Sequence, residues 1–222
     1  MMSTTKDNQT LVIPGWNIRA EIFEKHIPNA LFFTPPKATT AKPYDEAIQY
    51  LGAQNITHQR DKINIIGWSM GGQIAMLFAA QHPEKVASLT LLSTAAIFSR
   101  NAQDKQSFNE LCKTDFPRAS KYFHRLMGSM SIEQSLALKK QFINDQENAL
   151  AYLHELHTRD LTEVAKKITC PVKIIHAIDD QIIPYSEAVY LQQLIPQAVL
   201  ETIPGNQHFP LYADYDKICQ LL

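Results

Sequence analysis

The chain is expected to fold as an α/β protein, with a mostly parallel sheet of about six strands, helices on both faces and a helical insertion. Three observations predict this. Short runs of β-branched and large apolar residues recur along the sequence, segments with helical spacing separate them, and one interval, 95–168, is too long for a simple crossover. At 222 residues and 45% hydrophobic, the chain suits one domain with a sizeable core. With no repeat or low-complexity linker to mark a boundary, residues 1–222 are read as a single domain and 95–168 as its helical lid.

The strand candidates are 10–14, 30–33, 62–67, 88–93, 172–178 and 198–203, and most read as strands buried on both faces. Helical spacing covers 44–54, 70–82 and 185–195. Strands alternating with helices imply parallel pairing through right-handed crossovers. Within the insertion, 118–127 and 133–143 carry helical patterns.

Twenty-one basic and 22 acidic side chains nearly cancel, so no global field draws the protein to nucleic acid or an anionic membrane. Cys112, Cys170 and Cys219 are odd in number and far apart, which suits a reduced, cytoplasmic protein and gives no metal or redox motif. The polar start has no apolar signal region, and no apolar run approaches the ~20 residues that span a bilayer. Export and membrane insertion are not expected.

Gly67-Trp68-Ser69-Met70-Gly71 is G-x-S-x-G, placed directly after a strand candidate and opening a helical segment. A nucleophile on so sharp a turn crowds residues two positions away, and glycine removes the Cβ atoms that would collide. The turn also sets Ser69 at a helix N-terminus, where free N–H groups favour a developing negative charge. The stretch lacks the lysine of a P-loop and the Gly-x-Gly-x-x-Gly spacing of a dinucleotide site.

A serine hydroxyl needs a base to take its proton and a third group to orient that base. His26, His58, His82, His124, His154 and His157 lie on or beside helical patterns, and His176 lies within a strand candidate. Only His208 sits in a turn-rich loop after the last strand candidate, so it is the expected base. Asp179 and Asp180 end the fifth strand candidate; being adjacent, their side chains point in different directions and one of them can face the histidine. The backbone N–H groups of Met70 and Trp16 are the expected donors to an oxyanion, the latter because Gly15 permits a sharp turn at a strand end. These positions all follow strand candidates at their C-terminal ends, where open α/β sheets place ligand sites.

With these residues in place the chain resembles the α/β-hydrolase superfamily, and within it the pimeloyl-[acyl-carrier protein] methyl ester esterase family of biotin synthesis. The similarity runs from about Leu11 to the C-terminus. It is carried by PGW at 14–16, GWSMGG at 67–72, HPEKVASLTLLST at 82–94, LHTRDLTEVAKKITCPV at 156–172, DQIIP at 180–184 and HFP at 208–210. The resemblance implies Ser69 as nucleophile, His208 as base, Asp180 rather than Asp179 as orienting acid, and Trp16 and Met70 as oxyanion donors. It implies no metal or organic cofactor.

Three departures from that family stand out. Only nine residues, seven of them polar, precede the first strand candidate, where the family has a β-hairpin. Residues 34–40 replace a glycine-rich turn, and Pro14 stands where the family has histidine.

The resemblance also implies a carrier protein as partner. Residues 113–140 hold Lys113, Arg118, Lys121, Arg125, Lys139 and Lys140 against Asp115 and Glu133, and on a helix Arg118, Lys121 and Arg125 share one face. That face is the expected docking site for an acidic acyl-carrier protein; a plain solvated helix face is the alternative. A monomer is expected. Other readings of the same motifs are a general short-chain carboxylesterase or thioesterase, a lyase of the menaquinone-pathway type, and a non-catalytic binding protein on this fold.

Overall fold

A computed structural model describes residues 8–53, 62–98, 102–213 and 218. His58, Cys219 and the polar start at 1–7 lie outside the described residues. Among the described residues six strands form one sheet: β1 Thr10–Ile13, β2 Leu31–Phe32, β3 Ile63–Trp68, β4 Val86–Leu92, β5 Val172–Ala177 and β6 Val199–Ile203. Their order is β2-β1-β3-β4-β5-β6 and every pairing is parallel. The central strands are rich in apolar residues because both faces are covered: Val12, Ile13, Leu91, Leu92, Ile174 and Ile175 are all buried.

Register decides where the strands end. Ile13 pairs with Gly67 and Gly67 with Leu91, Leu92 pairs with Ile175, and Ala177 with Ile203. The loops beginning at Pro14, Ser69, Ser93, Ile178 and Pro204 therefore leave the sheet along one edge, although they are scattered over the sequence.

Helices α1 Pro43–Ala53 and α2 Met70–Gln81 lie between strands, as does α8 Tyr185–Leu194. α2 packs on β1, β3 and β4, and α8 on β5 and β6. Between β4 and β5 run α3 Ala102–Thr114, α4 Phe116–Leu126, α5 Ile132–Lys140, α6 Gln146–Thr158 and the short α7 Thr162–Ala165. Three of these starts are capped by side chains. The Asp115 carboxylate accepts the Arg118 N–H (3.1 Å), the Asp145 carboxylate accepts the Asn148 N–H (3.0 Å), and Ser131 with Gln134 forms a reciprocal capping box. α7 packs against α2 and α8, so it belongs to the layer on the sheet and not with α3–α6.

One expectation needs correcting. The helical pattern at 133–143 stops at Lys140, because Ile18 and Phe142 form an antiparallel bridge that takes the backbone. The Arg19 N–H donates to the Gln141 carbonyl (2.9 Å) and the Ile143 N–H to the Asn17 carbonyl (2.9 Å). The last strand is not buried on both faces: β6 closes the sheet edge and Val199 is exposed, which accounts for its mixed Val-Leu-Glu-Thr-Ile composition.

A buried polar chain ties α1 and α6 to the sheet layer. The Tyr44 hydroxyl donates to Gln73 Oε1 (2.9 Å), the Gln73 amide donates to the Ala95 carbonyl (3.1 Å), and the Tyr44 N–H donates to Glu155 (3.3 Å). Tyr44 and Gln73 are both buried, so losing one partner strands the other away from water. Tyr44→Phe is therefore expected to lower the unfolding free energy by about 1–2 kcal/mol. Urea denaturation at neutral pH measures it; an unchanged midpoint would show that Gln73 finds another donor.

Candidate active site

The site is built from the turn at Ser69 outward. Ser69 is held at φ 53° and ψ −120°, in the left-handed half of backbone space that a side chain normally avoids. The geometry around it leaves no room for other residues. A Cβ on Gly67 would lie 2.6 Å from the Gly72 Cα, and one on Gly71 would lie 2.3 Å from the Ile13 carbonyl oxygen. Glycine at these two positions lets α2 start directly beneath the end of β1. The Ser69 N–H donates to the Leu92 carbonyl (2.8 Å), and the Thr94 hydroxyl donates to the Ser69 carbonyl (2.7 Å), so the strained residue is pinned on both sides.

His208 Nε2 lies 2.9 Å from Ser69 Oγ, and His208 Nδ1 lies 2.7 Å from Asp180 Oδ2. All three residues are buried. The other Asp180 oxygen accepts the N–H groups of Ile182 (2.8 Å) and Ile183 (3.0 Å), a turn in which the carboxylate fastens to its own backbone. Asp179 is exposed, so of the two adjacent aspartates only Asp180 reaches the histidine. Burial pushes the Asp180 carboxyl up, but the His208 charge and hydrogen bond outweigh it and hold Asp180 below the usual carboxylate value.

Behind Asp180 lies His176, fully buried on β5, with Nε2 2.9 Å from the Ile183 carbonyl and 3.6 Å from Asp180 Oδ2. Burial holds its pKa down despite the nearby carboxylate. A neutral His176 donates to Ile183 and braces the turn that holds Asp180. The strand position that set His176 aside as a base is the one that makes it structural. Cys112, a second potential nucleophile, is buried and its thiol is pushed up to about 12 by burial, which keeps it protonated.

The residues from 14 to 18 stand over the turn. An added Cβ on Gly15 would meet Ser69 Cβ at 3.4 Å, so this loop and the serine are in contact. Neither the Trp16 nor the Met70 N–H donates to another backbone group in the turns and loops of the described residues. The Trp16 side chain does something its sequence position did not announce. Its indole N–H donates to the Ala149 carbonyl on α6 (2.8 Å), and its ring packs edge-on against Phe108 of α3 (5.6 Å) and Phe123 of α4 (4.9 Å).

Above Ser69 a cavity of about 470 Å³ opens between the sheet edge and helices α3, α4 and α6. Phe98, Phe108, Leu111, Phe123, Leu153 and Ile182 give it an apolar wall, and Trp16 and Ser69 also line it. Of the three basic residues singled out on α4, Arg118 and Arg125 line the cavity and Lys121 does not; all three are exposed. Arg125 lies over the Tyr122 ring, 5.3 Å from its centre. The aromatic wall was missed in the sequence because Phe98, Phe108 and Phe123 belong to no motif.

A parallel sheet with this turn after its third strand, and a histidine and an aspartate brought to it from later loops, defines the class. The chain belongs to the alpha/beta hydrolase fold family, whose model matches residues 34–215. It is similar to the pimeloyl-[acyl-carrier protein] methyl ester esterase of Chromobacterium violaceum, at 31% identity over 159 residues that cover 66% of this chain and 63% of that protein. The esterase of the same name from Nitrosomonas europaea is 31% identical over 164 residues, covering 67% of this chain and 65% of the other. The chain thus spans just under two thirds of the length of these curated relatives. In fold it is similar to a lipase-esterase related protein from Clostridium acetobutylicum, with a TM-score of 0.81 at 21% identity, covering 99% of this chain and 94% of that one.

The buried imidazole of His176 generates a pH prediction. Its unfolded value is about 6.5 and its folded value is lower, so the unfolded state binds more protons below neutrality. The stabilisation from keeping it neutral is complete above about pH 6.5 and is lost as pH falls through the folded value. Half-buried His26, lowered by burial and by Lys25, adds to the same slope. Unfolding free energy is therefore expected to fall from pH 7.5 to 5.5, and His176→Gln, which keeps a donor for Ile183, should flatten part of that fall. Urea melts at both pH values measure it, and an equal slope in the variant would contradict it.

Proposed function

We propose that the protein is a cytoplasmic serine carboxylesterase that hydrolyses the methyl ester of a pimeloyl group carried by an acyl-carrier protein. The observation that carries the reading is the Ser69–His208–Asp180 hydrogen-bonded relay opening into an apolar cavity bordered by Arg118 and Arg125. The names of the relatives support the substrate. The free thiols of Cys112 and Cys170 suit a reducing compartment. In this reading α3–α6 form a lid on a single α/β-hydrolase domain.

In the first half-reaction Ser69 Oγ attacks the ester carbonyl carbon while His208 Nε2 takes its proton, and Asp180 stabilises the imidazolium that forms. The N–H groups of Trp16 and Met70 hold the oxyanion. When the tetrahedral intermediate collapses, its C–O bond to the methoxy group breaks, and the His208 proton passes to that oxygen, releasing methanol. Water, deprotonated by His208, then attacks the acyl-enzyme carbonyl, and the free acid leaves as Ser69 recovers its proton.

The apolar wall suits a hydrocarbon chain extending from the ester. Exposed Arg118, Lys121 and Arg125 would meet the acidic carrier outside, so the chain would run from carrier to serine through the lid. Buried methylenes are worth about 0.8 kcal/mol each, enough for chain length to matter.

Asp180→Asn is expected to lower kcat by about 10³- to 10⁴-fold, whereas Asp179→Asn stays near the parent value; an equal loss in both would put the acid elsewhere. Steady-state hydrolysis of a p-nitrophenyl ester reads this out. For the substrate, purified protein should demethylate carrier-bound pimeloyl methyl ester, and the double variant Arg118→Glu/Arg125→Glu should raise KM about tenfold or more for it while leaving a short free ester unaffected. Failure to act on the carrier-bound ester, with short esters still cleaved, would leave a general carboxylesterase or thioesterase.

A further inference from the structure

His208 is anchored through its main chain, and half of that anchor comes from the helical insertion. α4 ends at Leu126, and residues 127–129 run directly onto the loop that carries the histidine. The His208 N–H donates to the Met127 carbonyl (2.9 Å), the Ser129 N–H donates to Asn206 Oδ1 (3.0 Å), and the Gln207 amide donates to the Ser129 carbonyl (3.4 Å). Gly128, at φ +97°, has no room for a side chain: a Cβ there would lie 2.3 Å from the Asn206 carbonyl oxygen and 2.9 Å from the Gln207 Cα. The two backbones touch at this point. On the far side, the His208 carbonyl accepts the indole N–H of Trp68 (2.7 Å), the residue next to the serine.

The imidazole therefore hangs from a main chain gripped at its N–H by the end of α4 and at its carbonyl by the serine turn. Its two ring nitrogens must meet Ser69 and Asp180 at 2.9 and 2.7 Å together, and a displacement of about 1 Å at such a centre costs roughly 100-fold in rate. The grip that prevents this displacement lies outside the triad. Hydrogen bonds of the ring alone leave the loop free to pivot about it, whereas bonds on the peptide groups either side remove that freedom.

We infer that Gly128 and Asn206 are positioning residues for His208, forming a clasp through which the end of α4 sets the place of the imidazole. The inference rests on His208 acting as the base. Asn206 supplies the side-chain oxygen that receives the Ser129 N–H, and Gly128 allows the backbone contact that brings the Met127 carbonyl to the His208 N–H. Neither lines the cavity, so their effect should fall on turnover and not on substrate affinity.

The test uses Asn206→Ala, which removes the oxygen, Asn206→Asp, which keeps it, and Gly128→Ala, which forces the backbones apart. Asn206→Ala and Gly128→Ala are expected to lower kcat on a short p-nitrophenyl ester by about tenfold or more, with KM within about twofold, and Asn206→Asp to recover most of the loss. The low-field proton NMR signal of the His208 Nδ1–H bonded to Asp180 should shift or broaden in Asn206→Ala and return in Asn206→Asp. Should Gly128→Ala fail to fold, Asn206→Ala decides. An Asn206→Ala enzyme with parental kcat and an unmoved proton signal overturns the clasp, as does a change confined to KM or to melting temperature. Ser69→Ala assayed beside them separates the two ideas: full activity there sinks the triad reading, while the proton signal still reports on the clasp.

Discussion

Everything in this site depends on one backbone conformation, the positive φ of Ser69. A serine in that conformation stores strain, which persists only where the surroundings over-determine it. Here they do so by contact: Gly71 lies against the carbonyl oxygens of Ile13 and Pro14, and Gly67 against Gly72 and Ala75. The hydrogen bonds from Ser69 to Leu92 and from Thr94 to Ser69 close the remaining freedom. The result points the hydroxyl out of the sheet edge and at His208.

Electrostatics then separates roles among buried polar groups that sit close together. Asp180 stays ionised because His208 and two backbone N–H groups face it, although burial alone would favour its neutral form. His176, four positions before it on the same strand end, is driven the other way by burial and acts as a neutral brace. One carboxylate thus serves His208 while its neighbour imidazole holds the turn in place. The helical insertion takes part in the same construction, since Trp16 packs between α3, α4 and α6 and the end of α4 grips the histidine loop.

Much of this was legible in the sequence because it is local. Runs dominated by apolar residues, such as Ile63–Trp68, announce doubly covered strands, and G-x-S-x-G carries its steric reason within five residues. His208 emerged by its place after the last strand, and Asp180 was separated from Asp179 only through the family pattern. Contacts between distant residues left no such trace. The Trp68–His208 hydrogen bond joins residues 140 apart and the Trp16–Ala149 bond residues 133 apart, and nothing periodic marks either. Helical spacing carried on past Lys140, yet the pairing of Phe142 with Ile18 ended the helix, a tertiary contact overriding a local preference.

In the proposed mechanism Ser69, and no other side chain, is the activated nucleophile. Intact-mass and peptide-mapping mass spectrometry after treatment with a fluorophosphonate probe tests it most directly. A single adduct per chain is expected, on Ser69, forming at neutral pH and absent from the His208→Ala variant. No adduct, or one mapped to any residue other than Ser69, would contradict it.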